Sequence, residues 1–118
     1  MSQELIARVK DFALRIIHLY IALPRRTEAQ VIGKQLLRSG TSVGAHYSEA
    51  TRARSKAEFI SKLEVALQEL EESRYWIELL TMAEIVPLKR LQPLLEETTA
   101  LIAIFTASTK TVKRSAIR

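Results

Sequence analysis

The sequence has no cysteine and only three glycines and three prolines among its 118 residues. Without cysteine there is no disulfide framework, no thiolate metal site and no cysteine nucleophile. So few glycines and prolines do not supply the turns of an all-β sandwich or barrel. Long hydrophobic runs are missing too, because the most apolar stretch, residues 16–23, is far shorter than the roughly 20 residues that span a membrane. Disulfide-rich, all-β and membrane-spanning classes are therefore excluded.

The rest of the composition is that of a globular domain. Hydrophobic residues make up 47% and charged residues 26% of the chain, and the length suits a single hydrophobic core. The first residues are acidic before they become apolar, unlike a secretory signal. We therefore expect one soluble domain in the cytoplasm.

The net charge of +5 is unevenly distributed along the chain. Residues 1–57 carry ten Lys or Arg against four acids, a net +6. Residues 58–97 carry four Lys or Arg against nine Glu, a net −5, and residues 98–118 carry four basic residues and no acid. A basic first half and a basic end, separated by an acidic segment, indicate a molecule with two kinds of charged surface.

The first half of the chain predicts two helices. Apolar residues recur every three or four positions over residues 5–23, and Pro24 ends this first helix. The second helix is predicted over residues 27–51, with Thr27 and Gln30 in the positions of a capping box.

The second half predicts two more helices. A second capping box, Ser55 to Glu58, opens the third helix, which Pro87 closes. The fourth is expected to start with Pro93 in its first turn and to give way to a flexible basic tail over residues 110–118. The apolar stripe of the third helix is Phe59, Leu63, Ala66, Leu70, Ile77, Leu80 and Met82-Ala83, and that of the fourth is Leu91, Leu94, Thr98, Leu101 and Phe105.

The segment Ser39–Ala45 is ambiguous, because its glycines and serines have the composition of a loop. The spacing of Ile32, Leu36, Val43 and Ala50 nevertheless passes through it without a change of phase. We therefore predict one continuous helix, whose small residues let a neighbouring helix approach closely.

Four helices with short connections predict an all-α, antiparallel up-down-up-down four-helix bundle over residues 1–109. The third helix also carries apolar residues outside its main stripe, which one bundle core does not require. Burial against another subunit and packing against two neighbours inside the bundle are equally good explanations. The candidate oligomer interface is Val65, Tyr75, Trp76 and Leu79.

Catalytic chemistry finds little support in the residue pattern. His18 lies in an apolar stretch, where a packed histidine is the simpler interpretation. His46 and Glu49 are three residues apart on one helix, but bundle metal sites use two such pairs with further glutamates, and no second pair is present. The glutamates of the third helix are typical of a solvated face. We predict no enzyme, no metal and no cofactor.

The basic residues point instead to nucleic acid. They cluster at both ends of the second helix and in the C-terminal segment, and each contact with a phosphate releases a counterion. No base-reading motif accompanies them, so ordinary surface charge is an equally good explanation for a monomer. The candidate phosphate-binding residues are Arg25, Arg26, Lys34, Arg38, Arg52, Arg54, Lys56, Lys110, Lys113 and Arg114.

Three segments together resemble a known family. Leu36–Ala50, Ser55–Leu63 and Ala66–Glu72 are similar to the characteristic segments of the four-helix-bundle proteins encoded in intervening sequences of bacterial large-subunit ribosomal RNA genes. The resemblance extends from the first helix to residue 105. It departs from the family pattern at His46, where Asn is usual, and at Ala50, where Gly is usual.

The resemblance implies an antiparallel bundle that assembles as a homopentamer. It also implies kinship with the accessory variability proteins of diversity-generating retroelements, which work with a reverse transcriptase and nucleic acid. No settled activity comes with the intervening-sequence branch itself. The motif residues Ser42, His46, Glu49 and Phe59 are expected to be structural, with Ser42 permitting close packing and Glu49 capping or pairing near Arg52.

Three hypotheses follow. The first is a non-enzymatic oligomeric bundle that binds RNA or DNA through the basic residues. The second is a protein-interaction scaffold, such as an accessory subunit of a reverse transcriptase. The third, a metal-dependent bundle enzyme using His46 and Glu49, is the least supported.

Overall fold

The structure, a computed structural model, describes residues 2–117, with the side chains of residues 3–115. It contains four helices, α1 (Ser2–Ala22), α2 (Thr27–Thr51), α3 (Lys56–Met82) and α4 (Leu88–Ile117), and no strand within this part of the chain. The molecule measures 52 × 22 × 20 Å. The predicted all-α class and the four helices are confirmed. Met1 and Arg118, which the predicted domain and tail include, lie outside the described residues.

The core contains the predicted stripes of all four helices. Phe12, Leu36, Leu63 and Phe105 are each at most 1% exposed, and the whole predicted stripe of α4 is buried. At the end of α3 the prediction is wrong for Met82, which is 76% exposed, and for Ala83, which is exposed and is the C-cap. The helix ends at Met82, so a side chain there projects past the neighbouring helices.

The second helix is continuous through its glycines and serines, as predicted. A Cβ atom on Gly40 would lie 2.7 Å from Cγ1 of Ile16 in α1, and one on Gly33 would lie 2.5 Å from Cδ1 of Leu23. The other side of the segment faces α3, where the buried hydroxyls of Ser39 and Ser73 lie 2.9 Å apart. Small residues therefore permit the close approach of helices on both sides of α2.

Half of one predicted capping box is present, because the Glu58 carboxylate accepts from the Arg54 amide at 3.1 Å and not from the Ser55 amide. The Ser55 hydroxyl accepts a hydrogen bond from the Glu58 amide at 3.0 Å, which caps α3. At α2 the prediction is wrong, because the N-cap is Arg26 and no side chain caps the helix. The Gln30 side chain is already engaged, accepting from the Tyr20 hydroxyl at 2.9 Å and donating to the Pro24 carbonyl at 2.9 Å.

The connection between α3 and α4 is shorter than predicted. The backbone turns at Glu84, whose φ of 58° is in the left-handed region, and the Ile85 amide donates back to the Leu80 carbonyl. Helix α4 then begins at Leu88, so Pro93 lies inside it rather than at its start. A proline so near the helix start removes only one backbone hydrogen bond, and the buried Leu91 and Leu94 on either side hold the segment helical.

Helix α4 does not end at residue 109 but continues to Ile117. Lys110, Lys113 and Arg114 of the predicted tail are therefore helical, and the side chains of Lys113 and Ser115 contact α3 at Glu64 and Lys56. The apolar spacing of α4 also continues there, since the half-buried Val112 follows Phe105 by seven residues. These contacts order a segment that its composition alone marks as frayed.

Consecutive helices pack side by side along the chain, and α2 and α3 share the most extensive contact. Helices α1 and α4 approach each other much less closely. The seam between the first and last helices is therefore the most open one in the molecule. Within the described residues, no helix is long and apolar enough to cross a membrane.

Candidate nucleic-acid interface

The α2–α3 connection and the last turns of α4 meet at one end of the molecule, which we call the basic end. The ammonium group of Lys56 donates to the Ser115 hydroxyl at 2.8 Å and so joins the two segments. A cavity of about 470 Å³ lies between them, lined among others by Arg54, Phe59 and Val112. Chain segments more than 50 residues apart thus form one surface.

Six of the ten candidate phosphate-binding residues belong to this end. Only Lys113 among them is in an ion pair, at 3.0 Å from Glu64 Oε2. The other side chains are exposed and have no ionic partner among the described residues, which leaves their charges available to a ligand. The six residues are Arg52, Arg54, Lys56, Lys110, Lys113 and Arg114.

The other four candidates lie elsewhere. Arg25 and Arg26 belong to the α1–α2 connection, at the opposite end of a 25-residue helix that is about 37 Å long. Arg26 pairs with Glu28 at 3.2 Å. Lys34 is exposed about two turns into α2. The ten residues therefore do not form one continuous surface on a single chain.

Arg38 belongs to a charged cluster between α2 and α3. Its guanidinium group contacts the Glu72 carboxylate and lies 3.6 Å from Oε2 of Glu69. The indole N–H of Trp76 donates to the same Glu72 carboxylate at 2.9 Å. Phosphate binding by Arg38 would have to displace two carboxylates, so this residue serves the α2–α3 contact.

The family-motif residues have mostly local partners. The Ser42 hydroxyl donates to the Arg38 carbonyl in its own helix at 2.7 Å. Glu49 does not pair with Arg52 as expected, because Lys62 of α3 lies 2.8 Å from its Oε1 atom. The hydrogen bond from Lys62 lowers the pKa of the Glu49 carboxyl below its usual value, and the same bond raises the pKa of Lys62.

His46 and Glu49, the proposed metal pair, have no further ligand near them. Nδ1 of His46 is buried and has no hydrogen-bond partner, while the Glu49 carboxylate is held by Lys62. Among the described residues, no three His, Cys, Asp or Glu side chains lie close enough to hold a metal ion. The arrangement of Glu49 is that of an interhelical ion pair.

The candidate oligomer interface is only partly exposed. Tyr75 is 53% exposed and packs edge-on against Trp76, with ring centroids 4.9 Å apart. Val65, Trp76 and Leu79 are half-buried. Outside this set, α1 carries two exposed apolar residues, Leu14 and Ile21, which the sequence pattern did not single out.

Several residues of the basic end were not predicted from the sequence. Thr111, Val112 and Ser115 line its cavity, but they fall in the segment expected to be a tail. The signal that identifies them is the continued apolar spacing from Phe105 to Val112.

The fold and the basic end define a small all-helical protein with a cationic end and an acidic third helix. The chain matches the family described as 23S rRNA-intervening sequence protein over residues 2–107, and it belongs to that family.

A solved relative has the same fold. The chain is similar, at 36% identity and a TM-score of 0.86, to the crystal structure of a protein of unknown function from the S23 ribosomal protein family of Bacteroides thetaiotaomicron. The similarity covers 93% of this chain and 99% of that one. No curated protein matches the chain significantly in sequence.

Proposed function

We propose that this protein is a non-enzymatic, oligomeric helical bundle that binds RNA or DNA through its basic end. The observation that carries the proposal is the convergence of the α2–α3 connection with the last turns of α4, linked by Lys56 and Ser115. Arg52, Arg54 and Arg114 are exposed there without an ionic partner in the described residues. Unpaired cations on one surface give affinity for a polyanion that does not depend on sequence.

The four helices are proposed to run antiparallel, up-down-up-down. The order of the interhelical contacts supports this topology. Glycines that succeed one another along α2 face residues that come earlier and earlier in α1: Gly33 faces Leu23, Gly40 faces Ile16 and Gly44 faces Val9.

Self-association, with five copies as the family resemblance implies, is the second part of the proposal. The exposed Tyr75 supports an interface on α3, because a large aromatic side chain in water gains free energy when a partner covers it. Repetition of the basic end around a ring would add phosphate contacts, and the salt dependence of binding would rise with their number.

A protein-interaction scaffold, for example an accessory subunit of a reverse transcriptase, is the alternative. It is favoured by α3, where exposed apolar residues such as Tyr75 and Met82 lie among glutamates and are suited to a basic protein partner.

The test is binding of labelled mixed-sequence oligonucleotides over a salt series, followed by fluorescence anisotropy. We expect a dissociation constant well below ~1 mM at low salt, and we expect the affinity to fall steeply as the salt concentration rises. The double variant Arg54→Gln, Arg114→Gln should reduce both the affinity and the salt slope. Its matched control, Arg25→Gln with Lys34→Gln, removes the same charge elsewhere and should have a smaller effect. Affinity no better than millimolar, or independent of salt, would contradict the proposal.

A pull-down from nuclease-treated extract separates the alternative. A protein partner that survives nuclease treatment favours the scaffold, whereas a complex lost with the nucleic acid favours direct binding.

A further inference from the structure

The basic end contains a second cavity next to the first. The two cavities, of about 470 and 530 Å³, share Phe59, Thr111 and Val112 in their walls. Together they form one cleft that runs from the charged surface toward the open seam between α1 and α4. Each volume lies within the range of about 300–1,000 Å³ that is usual for small-ligand pockets.

The two halves of the cleft differ in chemistry. The outer half is lined by Arg54 and Lys56, with the hydroxyl group of Ser115. The inner half is mainly apolar and includes Leu5, Tyr47 and Ile104, with the hydroxyl groups of Thr51 and Ser108 among them. Phe59, which is half-buried, lies at the boundary between the halves.

We infer that this cleft holds one unpaired nucleotide of a single-stranded nucleic acid, with its phosphate at Arg54 and Lys56 and its base against Phe59. The inference rests on the proposed function and names the form of nucleic acid that the basic end prefers. A nucleotide within a strand joins a monoanionic phosphodiester to a flat base with apolar faces, and the cleft joins two cations to an aromatic wall in the same order.

Base pairing determines whether a nucleic acid can place a base in the cleft, and it therefore favours a single strand over a duplex. A base inside a duplex is stacked on its neighbours and cannot enter a side cleft, so duplex phosphates would contact only the surface cations. An unpaired base can stack on an aromatic side chain and direct its polar edge to hydroxyl groups. Thr51, Ser108 and Thr111 line the cleft. The hydroxyls of Thr51 and Thr111 donate to carbonyls of their own helices, so their oxygens are left to accept from the amino or imino group of a base.

Charge complementarity favours a nucleic acid over an acidic peptide. Further exposed cations belong to the same segments of the chain, with Arg52 at the end of α2 and Lys110 and Arg114 in the last turns of α4. A strand that passes the cleft would meet a cation on either side of the bound nucleotide, because its phosphates repeat at every residue. An acidic peptide, in contrast, does not carry a flat aromatic ring beside each of its charges.

The inner wall is built from packed aromatic and aliphatic side chains. Tyr47 stacks on Phe105, with ring centroids 5.4 Å apart, and Leu63 behind them is fully buried. Lys56 is held toward the cleft by the Ser115 hydroxyl, a neutral partner that a phosphate oxygen can replace.

The test compares a single-stranded oligonucleotide with a hairpin duplex of equal phosphate number, using the full-length protein at fixed ionic strength. We expect the single strand to bind about tenfold more tightly. Phe59→Leu keeps an apolar side chain but removes the ring, and it should cost about tenfold in single-strand affinity and leave duplex affinity unchanged. Phe59→Tyr should retain single-strand binding, and Val31→Ala, which trims an exposed apolar side chain of α2 outside the cleft and outside the candidate oligomer interface, should have no effect.

A measurement on the unaltered protein guards against a folding defect in the variants. A single 2-aminopurine in the oligonucleotide should change its emission on binding, because its ring stacks on Phe59. If the emission does not change and both nucleic acids bind with equal affinity, the inference is overturned. The proposed function remains intact in that case as long as the binding depends on salt. Absence of salt-dependent binding to either would overturn the proposed function itself. If no nucleic acid binds but an acidic amphipathic peptide binds in a way that depends on Phe59, the cleft is a protein-docking site. That result would overturn both the inference and the proposed function.

Discussion

Arg8 and Glu97 form a two-bond ion pair between α1 and α4. Nε of Arg8 lies 2.7 Å from Oε2 of Glu97, and Nη2 lies 2.8 Å from Oε1. The pair bridges the two neighbouring helices that otherwise approach each other least. The hydrogen bonds from Arg8 lower the pKa of the Glu97 carboxyl, although partial burial acts in the opposite direction.

The ion pair should make stability depend on pH. The pKa of Glu97 is lower in the folded chain than in the unfolded one, so its contribution is present above the ordinary glutamate pKa of about 4.3 and is lost as the pH falls through the lowered folded value. Arg8→Gln should therefore reduce the free energy of unfolding at pH 7 by about 0.2–1 kcal/mol, the range of exposed pairs, since Arg8 is 42% exposed. Urea unfolding at several pH values measures this.

Two further variants test the geometry of the pair. Arg8→Lys retains the charge but not the two parallel bonds and should fall between the wild type and Arg8→Gln. Lys10→Gln removes an exposed charge from the same helix and is the control. A loss in Arg8→Gln that is the same at pH 3 and pH 7 would show that packing, not the ion pair, is responsible.

Gly40 should not tolerate a methyl group. Its Cβ would lie 2.7 Å from Cγ1 of Ile16, a fully buried β-branched side chain with few alternative rotamers. We expect Gly40→Ala to lower the free energy of unfolding by about 1–3 kcal/mol. Gly44→Ala is the matched control, because a Cβ atom at Gly44 has no neighbour closer than 3.6 Å. This substitution should stabilise the helix by up to about 1 kcal/mol. Thermal unfolding of both variants measures the two changes in stability. Equal changes would contradict the close contact between Gly40 and Ile16.

The two capping sites should respond differently to alanine. Ser55→Ala removes the hydroxyl that accepts from the Glu58 amide and should cost about 1 kcal/mol. Thr27→Ala should change stability by less than about 0.5 kcal/mol, because no side-chain bond caps α2. Chemical denaturation of the two variants compares them directly, and a comparable loss from Thr27→Ala would mean that its hydroxyl caps α2 in solution.

The proposed oligomer interface can be separated from other exposed apolar surface. Tyr75 on α3 and Leu14 on α1 are 53% and 52% exposed. If α3 forms the interface, Tyr75→Lys should lower the molar mass in solution, because the oligomer would have to bury an unpaired charge and would dissociate. Leu14→Lys should leave the molar mass unchanged. Light scattering coupled to gel filtration measures both. The opposite result would assign the interface to α1.

Periodicity predicted the fold well wherever burial determines it. The stripe from Leu91 to Phe105 is entirely buried, and the continuous phase through Ser39–Ala45 correctly indicated one helix. Helix boundaries were less predictable, because they depend on contacts between distant residues. At α2 the N-cap is Arg26, so Thr27 lies inside the helix, and the Gln30 side chain is held by Tyr20 and Pro24 instead of completing a capping box.

The candidate site was predictable only in its charges. Residue types identified the cations, but the pattern gave no indication that Arg38 is neutralised by Glu69 and Glu72. Likewise, the family resemblance marks Phe59 as a motif residue, but it does not indicate that Val112 lines the same cavities. Their meeting depends on the path of α4 past residue 109, which side-chain contacts with α3 determine.

The bond between Trp76 and Glu72 gives the protein an intrinsic spectroscopic probe. Trp76 is the sole tryptophan of the chain, and its indole shares the Glu72 carboxylate with Arg38. Its emission therefore reports on the α2–α3 contact, far from the cleft at the basic end. Separation of those two helices can be followed without any label, and a ligand at the cleft that leaves the emission unchanged binds without disturbing the centre of the bundle.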